Sequence, residues 1–101
     1  MKLPKIEIDD HLIMSLAKKY RIKELSLFGS VLRDDFKDDS DIDILIQFID
    51  DREYSLFDLF RIREEFEQAL GKEVDLIEKR GLRNPYRRAN ILSTARVIYA
   101  A

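Results

Sequence analysis

A glycine-serine pair, followed after ten residues by an Asp-Ile-Asp triplet, constrains this chain more than any other feature. The pair is Gly29 and Ser30, and the triplet is Asp41-Ile42-Asp43. Residues 41–48 are rich in isoleucine and leucine, which favours a β-strand. Because side chains alternate along a strand, Asp41 and Asp43 would project from one face and Ile42 from the other. The triplet therefore predicts two carboxylates on the same face of one strand.

These two carboxylates and a third one predict a cation site. Two positions along a strand lie roughly 6.5–7 Å apart, and carboxylates at that spacing repel each other by about 2–3 kcal/mol. Asp75 stands in a second strand-like run, 73–77, and would add to the repulsion. Such a cluster needs a bound cation or a raised pKa. Oxygen ligands suit Mg²⁺ or Mn²⁺, and a chain with no cysteine and one histidine offers little to zinc.

The glycine-serine pair predicts a turn that contacts phosphate. Residues 24–28 read as a strand that Gly29 ends, and glycine lets the backbone approach a ligand closely. Ser30 adds a hydroxyl group, and a short helical turn is expected to follow through residues 31–33. Backbone N–H groups at the start of a helical turn attract anions. The turn could hold a triphosphate while the carboxylate strand holds its metal ion.

The pattern resembles the signature of the nucleotidyltransferase superfamily, which is Gly-Ser, a spacer and Asp-x-Asp. The short chain is similar to its minimal members, the MNT-domain antitoxins that pair with HEPN-domain toxins. The resemblance runs from the helix around residue 10 to the C-terminus. It implies an α+β fold, a small mixed β-sheet with helices packed on it, like the palm of DNA polymerase β. It also implies that residues 1–101 form a single minimal nucleotidyltransferase domain.

The resemblance implies a role for six residues. Those that would bind the nucleotide phosphates are Gly29, Ser30 and Arg33. Those that would bind Mg²⁺ or Mn²⁺ and carry catalysis are Asp41, Asp43 and Asp75. Asp75 would also be the candidate base. Many relatives carry a glycine after the arginine, where this chain has Asp34.

The reaction that the resemblance implies is transfer of AMP from ATP to a tyrosine hydroxyl of a HEPN toxin, which inactivates the toxin. The chain would then be an antitoxin in a complex with that toxin. Two alternatives stay open: an antitoxin that masks its toxin by binding alone, and a transferase that acts on an antibiotic or another small hydroxyl compound. The chain has no Arg-x(4–6)-His pattern of HEPN ribonucleases, because its one histidine precedes every arginine. We therefore do not expect it to be the toxin.

Composition and sequence pattern disfavour several other classes of protein. A net charge of −2 does not suggest a nucleic-acid-binding protein. The lack of cysteine fits a cytoplasmic location, and the longest apolar run is too short to span a membrane. A calcium-binding loop over 39–50 is disfavoured because Ile44 stands where the loop needs glycine. The segment 79–88 is basic and could bind triphosphate, bind an acidic partner or form a solvated helix face.

Local end signals predict three helices that frame the strands. The residues that mark their ends are Asp9 or Asp10 for the first, Ser55 with Asp58 and Gly71 for the second, and Asn84 with Pro85 for the third. The third helix is expected to carry Ala89, Leu92 and Ala95. Periodicity leaves 96–99 open between a last helical turn and a strand added to the sheet.

Overall fold

The computed structural model describes residues 1–50 and 54–101. Its α-helices are α1 (Asp10–Lys19), α2 (Leu56–Leu70) and α3 (Pro85–Thr94), and its strands are β1 (Ile22–Phe28), β2 (Ile42–Phe48), β3 (Val74–Glu78) and β4 (Arg96–Ala100). Two short 3₁₀ turns, Gly29–Leu32 and Lys79–Gly81, follow β1 and β3. None of the described helices has the length and apolar character needed to cross a membrane.

The helix ends lie where the local signals predict them. The Asp9 side chain caps α1 by accepting a hydrogen bond from a backbone N–H. Ser55 and Asp58 form a reciprocal capping box at the start of α2. Gly71 ends α2 in the left-handed conformation, with φ of 68°. These ends depend on contacts within a few residues, and so they could be predicted from the sequence.

The sheet is mixed, as expected. In the described part of the chain the strand order is β3-β2-β1-β4. β1 pairs antiparallel with β2 and β4, whereas β2 and β3 are parallel. Helix α2 makes the crossover that a parallel pair requires. The segment left open at 96–99 is a strand, which lies beside β1 with Arg96 opposite Leu27.

The two faces of the sheet carry separate cores. Helices α1 and α2 cover the face of Ile42, Ile44 and Ile46, where Ile62 and Phe66 of α2 pack against them. Helix α3 covers the opposite face, with its apolar cluster of Phe28, Leu45, Leu82 and Ile91. Because side chains alternate along β2, Asp43 lies on the same face as Leu45. The α3 face is therefore the face of the candidate site.

The apolar residues expected on α3 differ in position and burial: Ala89 and Leu92 lie in the helix, whereas Ala95 is its C-cap. Ile91 is the buried residue of the helix, whereas Ala89 is exposed and Leu92 is 38 % exposed. Ala95, also predicted, is partly buried against the same cluster. Positions 91 and 95 are four apart and so share one side of the helix. That side faces Phe28 and Leu45, a long-range contact that helical spacing alone does not reveal.

Candidate active site

Adjacent strands bring the three predicted carboxylates to one end of the sheet. Asp43 is the second residue of β2 and lies directly opposite Asp75, the second residue of β3. Asp41 immediately precedes β2. Side chains paired across parallel strands share a face. The register of β2 and β3, which the sequence could not supply, thus places Asp75 beside Asp43.

Gly29 lies directly against the carboxylate of Asp43. Its φ is +77°, and a Cβ atom built on it would come within 2.2 Å of the Asp43 Oδ2 atom. This approach follows from the pairing of β1 with β2, where Phe28 stands opposite Asp43. The sequence predicted that glycine makes room for a ligand. The structure shows that the space beside it is taken by a carboxylate.

The turn after Gly29 differs from the expected one. It is a 3₁₀ turn that ends at Leu32, whereas the expected turn included Arg33. Arg33 adopts an extended conformation, and its N–H donates to the Ser30 carbonyl oxygen at 2.9 Å. Its guanidinium Nε lies 3.0 Å from an Asp35 carboxylate oxygen. Arg33 therefore leaves the turn and pairs with the acidic loop that follows.

The electrostatics of Asp43 reflect its crowded surroundings. Burial raises the pKa of the Asp43 carboxyl group above its usual 3.8, and the negative charges of Asp75 and Asp41 raise it further. The positive charges of Arg33 and Arg87 act in the opposite direction. The sequence predicted that such a cluster of carboxylates needs either a bound cation or a raised pKa, and the pKa of Asp43 is raised. The sequence analysis included Arg87 only as part of the basic segment 79–88, since its position near Asp43 depends on how α3 packs.

Two clefts lie beside Asp43 and Asp75. The first, of about 500 Å³, lies between the 3₁₀ turn and α3, and we call it the α3 cleft; its polar lining includes Arg33, Asp43, Arg87, Asn90 and Thr94, with Gly29. The second, of about 930 Å³, lies at the C-terminal end of α2, and we call it the α2 cleft; its charged lining is Asp41, Arg63, Glu64, Glu67, Lys72, Glu73 and Asp75. The two clefts share none of their lining residues.

The donor chemistry of the three aspartates fits a divalent cation. Carboxylate oxygens are the ligands that Mg²⁺ and Mn²⁺ prefer, and negative charge already accumulates at Asp43. As their side chains stand, no three metal-ligating residues within 1–50 and 54–101 group closely enough to hold one ion. Asp43 faces one cleft, while Asp41 and Asp75 face the other. Side-chain rotation would be needed to bring all three onto one ion.

Replacing Asp43 by asparagine is expected to stabilise the fold at pH 7. The pKa of Asp43 in the folded chain is raised above 3.8, its value in the unfolded chain. Between these two pKa values the folded chain binds more protons than the unfolded chain. The wild-type protein therefore loses stability as the pH rises through this range. The expected gain is below about 1 kcal/mol, since solvent screens a partly exposed group.

Chemical denaturation at pH 7 and pH 3 measures this gain. The difference should shrink at pH 3, where Asp43 is protonated in both the folded and the unfolded wild-type chain. Asp34→Asn, at an exposed position, is the matched control and should change neither value. Equal stabilities of the Asp43→Asn variant and the wild type at pH 7 would contradict the prediction.

The sequence matches a known family and named relatives. Residues 10–98 match the nucleotidyltransferase domain family. A candidate protein adenylyltransferase of Methanocaldococcus jannaschii is 40 % identical over 83 residues, which are 82 % of this chain and 86 % of that protein. The protein adenylyltransferase MntA of Thermococcus cleftensis is 36 % identical over 69 residues, 68 % of each chain.

Solved structures share the fold. A candidate minimal nucleotidyltransferase superposes with a TM-score of 0.70 at 33 % identity, covering 86 % of each chain. A toxin–antitoxin complex with AMP-PNP has a TM-score of 0.76 at 19 % identity, covering 93 % of this chain and 75 % of that one. A complex of a tri-AMPylated HEPN toxin of Shewanella oneidensis with an MNT antitoxin has a TM-score of 0.66 at 19 % identity. The match covers 91 % of this chain and 70 % of that one. The last two likenesses show the fold alone.

The match to the nucleotidyltransferase domain family covers residues 10–98, which is most of the chain. The chain therefore belongs to the nucleotidyltransferase family, as an enzyme with the fold of its minimal members.

Proposed function

We propose that this nucleotidyltransferase transfers AMP from ATP to a tyrosine hydroxyl of a HEPN toxin and acts as the antitoxin of that toxin. The observation that carries the proposal is the pairing of Asp43 with Asp75, with Gly29 held against Asp43. Relatives named as protein adenylyltransferases support the reaction. A structural neighbour that is a complex with an AMPylated HEPN toxin supports the partner.

Three side chains would hold the metal ion, and a turn would hold the phosphates. Asp41, Asp43 and Asp75 would bind Mg²⁺ or Mn²⁺, which when bound neutralises charge on the phosphates. Gly29 and Ser30 would orient the triphosphate through backbone N–H groups and the serine hydroxyl. Arg33 would contribute a guanidinium group from the rim of the α3 cleft.

The transfer exchanges one phosphorus–oxygen bond for another. The tyrosine oxygen forms a bond to the α-phosphorus of ATP, and the bond from that phosphorus to the bridging oxygen of pyrophosphate breaks. The proton of the hydroxyl group passes to the Asp75 carboxylate, which is exposed and can release it to water. The products are a tyrosine–AMP ester and pyrophosphate.

Intact mass spectrometry of a co-expressed HEPN partner tests this function. Incubation with the wild-type protein, ATP and Mg²⁺ should add one or more AMP masses to the partner. The Asp41→Asn/Asp43→Asn variant should slow the reaction by about a thousandfold or more, because removing the metal ligands removes several kcal/mol of charge stabilisation. Asp34→Asn is the matched control and should retain transfer.

Two other results would revise the proposal. A stable complex without any mass increase would favour an antitoxin that masks its toxin by binding. Undiminished transfer by the double variant would show that Asp41 and Asp43 are not the site.

A further inference from the structure

The two clefts differ in the charge that they present to a substrate. We propose that they divide the substrates: the ATP triphosphate lies in the α3 cleft, where Arg87 is a phosphate-binding residue, and the acceptor tyrosine enters the α2 cleft on a positively charged protein segment. The inference rests on the proposed function and adds to it the place and the chemistry of each substrate.

The α3 cleft is the one that can accept a polyanion. It places the guanidinium groups of Arg33 and Arg87 beside Asp43. Arg87 lies one helical turn before Ile91, whose burial fixes this side of α3 toward the sheet. Arg33 is paired with Asp35, whereas Arg87 forms no ion pair with any residue in the described ranges. A guanidinium group that is not engaged by a carboxylate is well suited to bind phosphate oxygens.

The α2 cleft would repel a polyanion and attract a cation. Its lining carries five carboxylates against the two cations Arg63 and Lys72. Glu67 is already engaged, since it accepts the Val74 N–H at 3.0 Å and lies 3.9 Å from Arg63. Glu64 and Glu73 are exposed. This charge favours a basic protein segment as the acceptor and disfavours RNA.

The chemistry of the transfer requires two directions of approach. An in-line displacement needs the attacking oxygen and the leaving pyrophosphate on opposite sides of the phosphorus atom. Asp75, the candidate base, lines the α2 cleft, whereas Gly29 lines the α3 cleft. The base is thus placed with the acceptor and the phosphate turn with the donor. Asp41 and Asp43, one in each cleft, lie where the two substrates would meet.

Binding measurements on the full chain test both the donor assignment and the acceptor assignment. For the donor, isothermal titration calorimetry with ATP and Mg²⁺ compares the wild type with Arg87→Gln and with Arg83→Gln, an exposed arginine outside both clefts, as control. We expect Arg87→Gln to weaken ATP binding by about tenfold or more, since charge-assisted hydrogen bonds are lost. The control should bind ATP as the wild type does.

For the acceptor, fluorescence anisotropy compares two labelled synthetic peptides that carry one tyrosine among arginines or among glutamates. The arginine peptide should bind more tightly at low salt. Glu64→Lys should weaken its binding by about two- to fivefold, as expected for an exposed charge, and leave the ATP affinity unchanged. Glu7→Lys, an exposed glutamate outside both clefts, is the control with the same change of charge.

The outcomes separate this inference from the proposed function. No ATP binding by the wild type would refute the proposed function itself. ATP binding that Arg87→Gln leaves intact would refute the donor assignment alone. The acceptor assignment would be overturned if the arginine peptide bound no better than the glutamate peptide, if neither bound, if Glu64→Lys had no effect, or if an RNA hairpin bound more tightly.

Discussion

Replacing Gly29 by alanine is expected to lower the rate of AMP transfer by at least about a hundredfold. The new Cβ atom would meet the Asp43 Oδ2 atom at 2.2 Å and its Cγ atom at 3.2 Å, so the carboxylate must move. Displacing a group at a reaction centre by about 1 Å can cost a hundredfold in rate. Single-turnover transfer to a saturating acceptor, with saturating ATP, measures the effect.

Gly71→Ala is the matched control for this variant. Gly71 has a nearly identical φ, +68°, but a Cβ atom built on it meets nothing within 4 Å. Both variants should lose about 1 kcal/mol of stability from the strained backbone, and only Gly29→Ala should lose the reaction. Equal transfer rates in the two variants would show that the contact between Gly29 and Asp43 has no role in positioning the carboxylate.

Replacing Phe66 by alanine is expected to cost about 3–5 kcal/mol of unfolding free energy. Phe66 is fully buried between α2 and the sheet, in the larger of the two cores. A loss of that size is a large part of the roughly 5–15 kcal/mol that stabilises a typical domain. Thermal unfolding should show a midpoint lower by at least about 12 °C.

Phe57→Ala removes the same side chain from the same helix as a control. Phe57 is 87 % exposed, so its loss should change stability by no more than about 0.5 kcal/mol. If the two variants unfolded at the same temperature, the placement of Phe66 in the core would be wrong.

Features that depend on neighbouring residues could be predicted from the sequence. The capping box of Ser55 and Asp58, the glycine end at Gly71 and the start of α3 at Asn84 and Pro85 all lie where the sequence predicts them. Each is a contact or a backbone preference within about four residues, so no knowledge of the rest of the fold is needed.

Features that depend on long-range packing could not be predicted in the same way. The segment 96–99 is a strand because β1 offers it a free edge, and its own periodicity leaves helix and strand open. Helix α3 buries Ile91 because Phe28 and Leu45 lie beneath it. Arg87 enters the candidate site for the same reason.

The candidate site combines both kinds of information. Strand alternation predicts that Asp41 and Asp43 share a face, but their relation to Asp75 depends on which strands pair and in which direction. The parallel register of β2 and β3 supplies that relation. The contact of Gly29 with Asp43 likewise depends on the register of β1 and β2.

Asp75 stands on β3, the outermost strand on its side of the sheet. A side chain that projects from the surface of another folded protein can reach a residue at this edge of the sheet without that protein unfolding. The choice of target would then depend on the lifetime of the docked complex as well as on the charge of the α2 cleft.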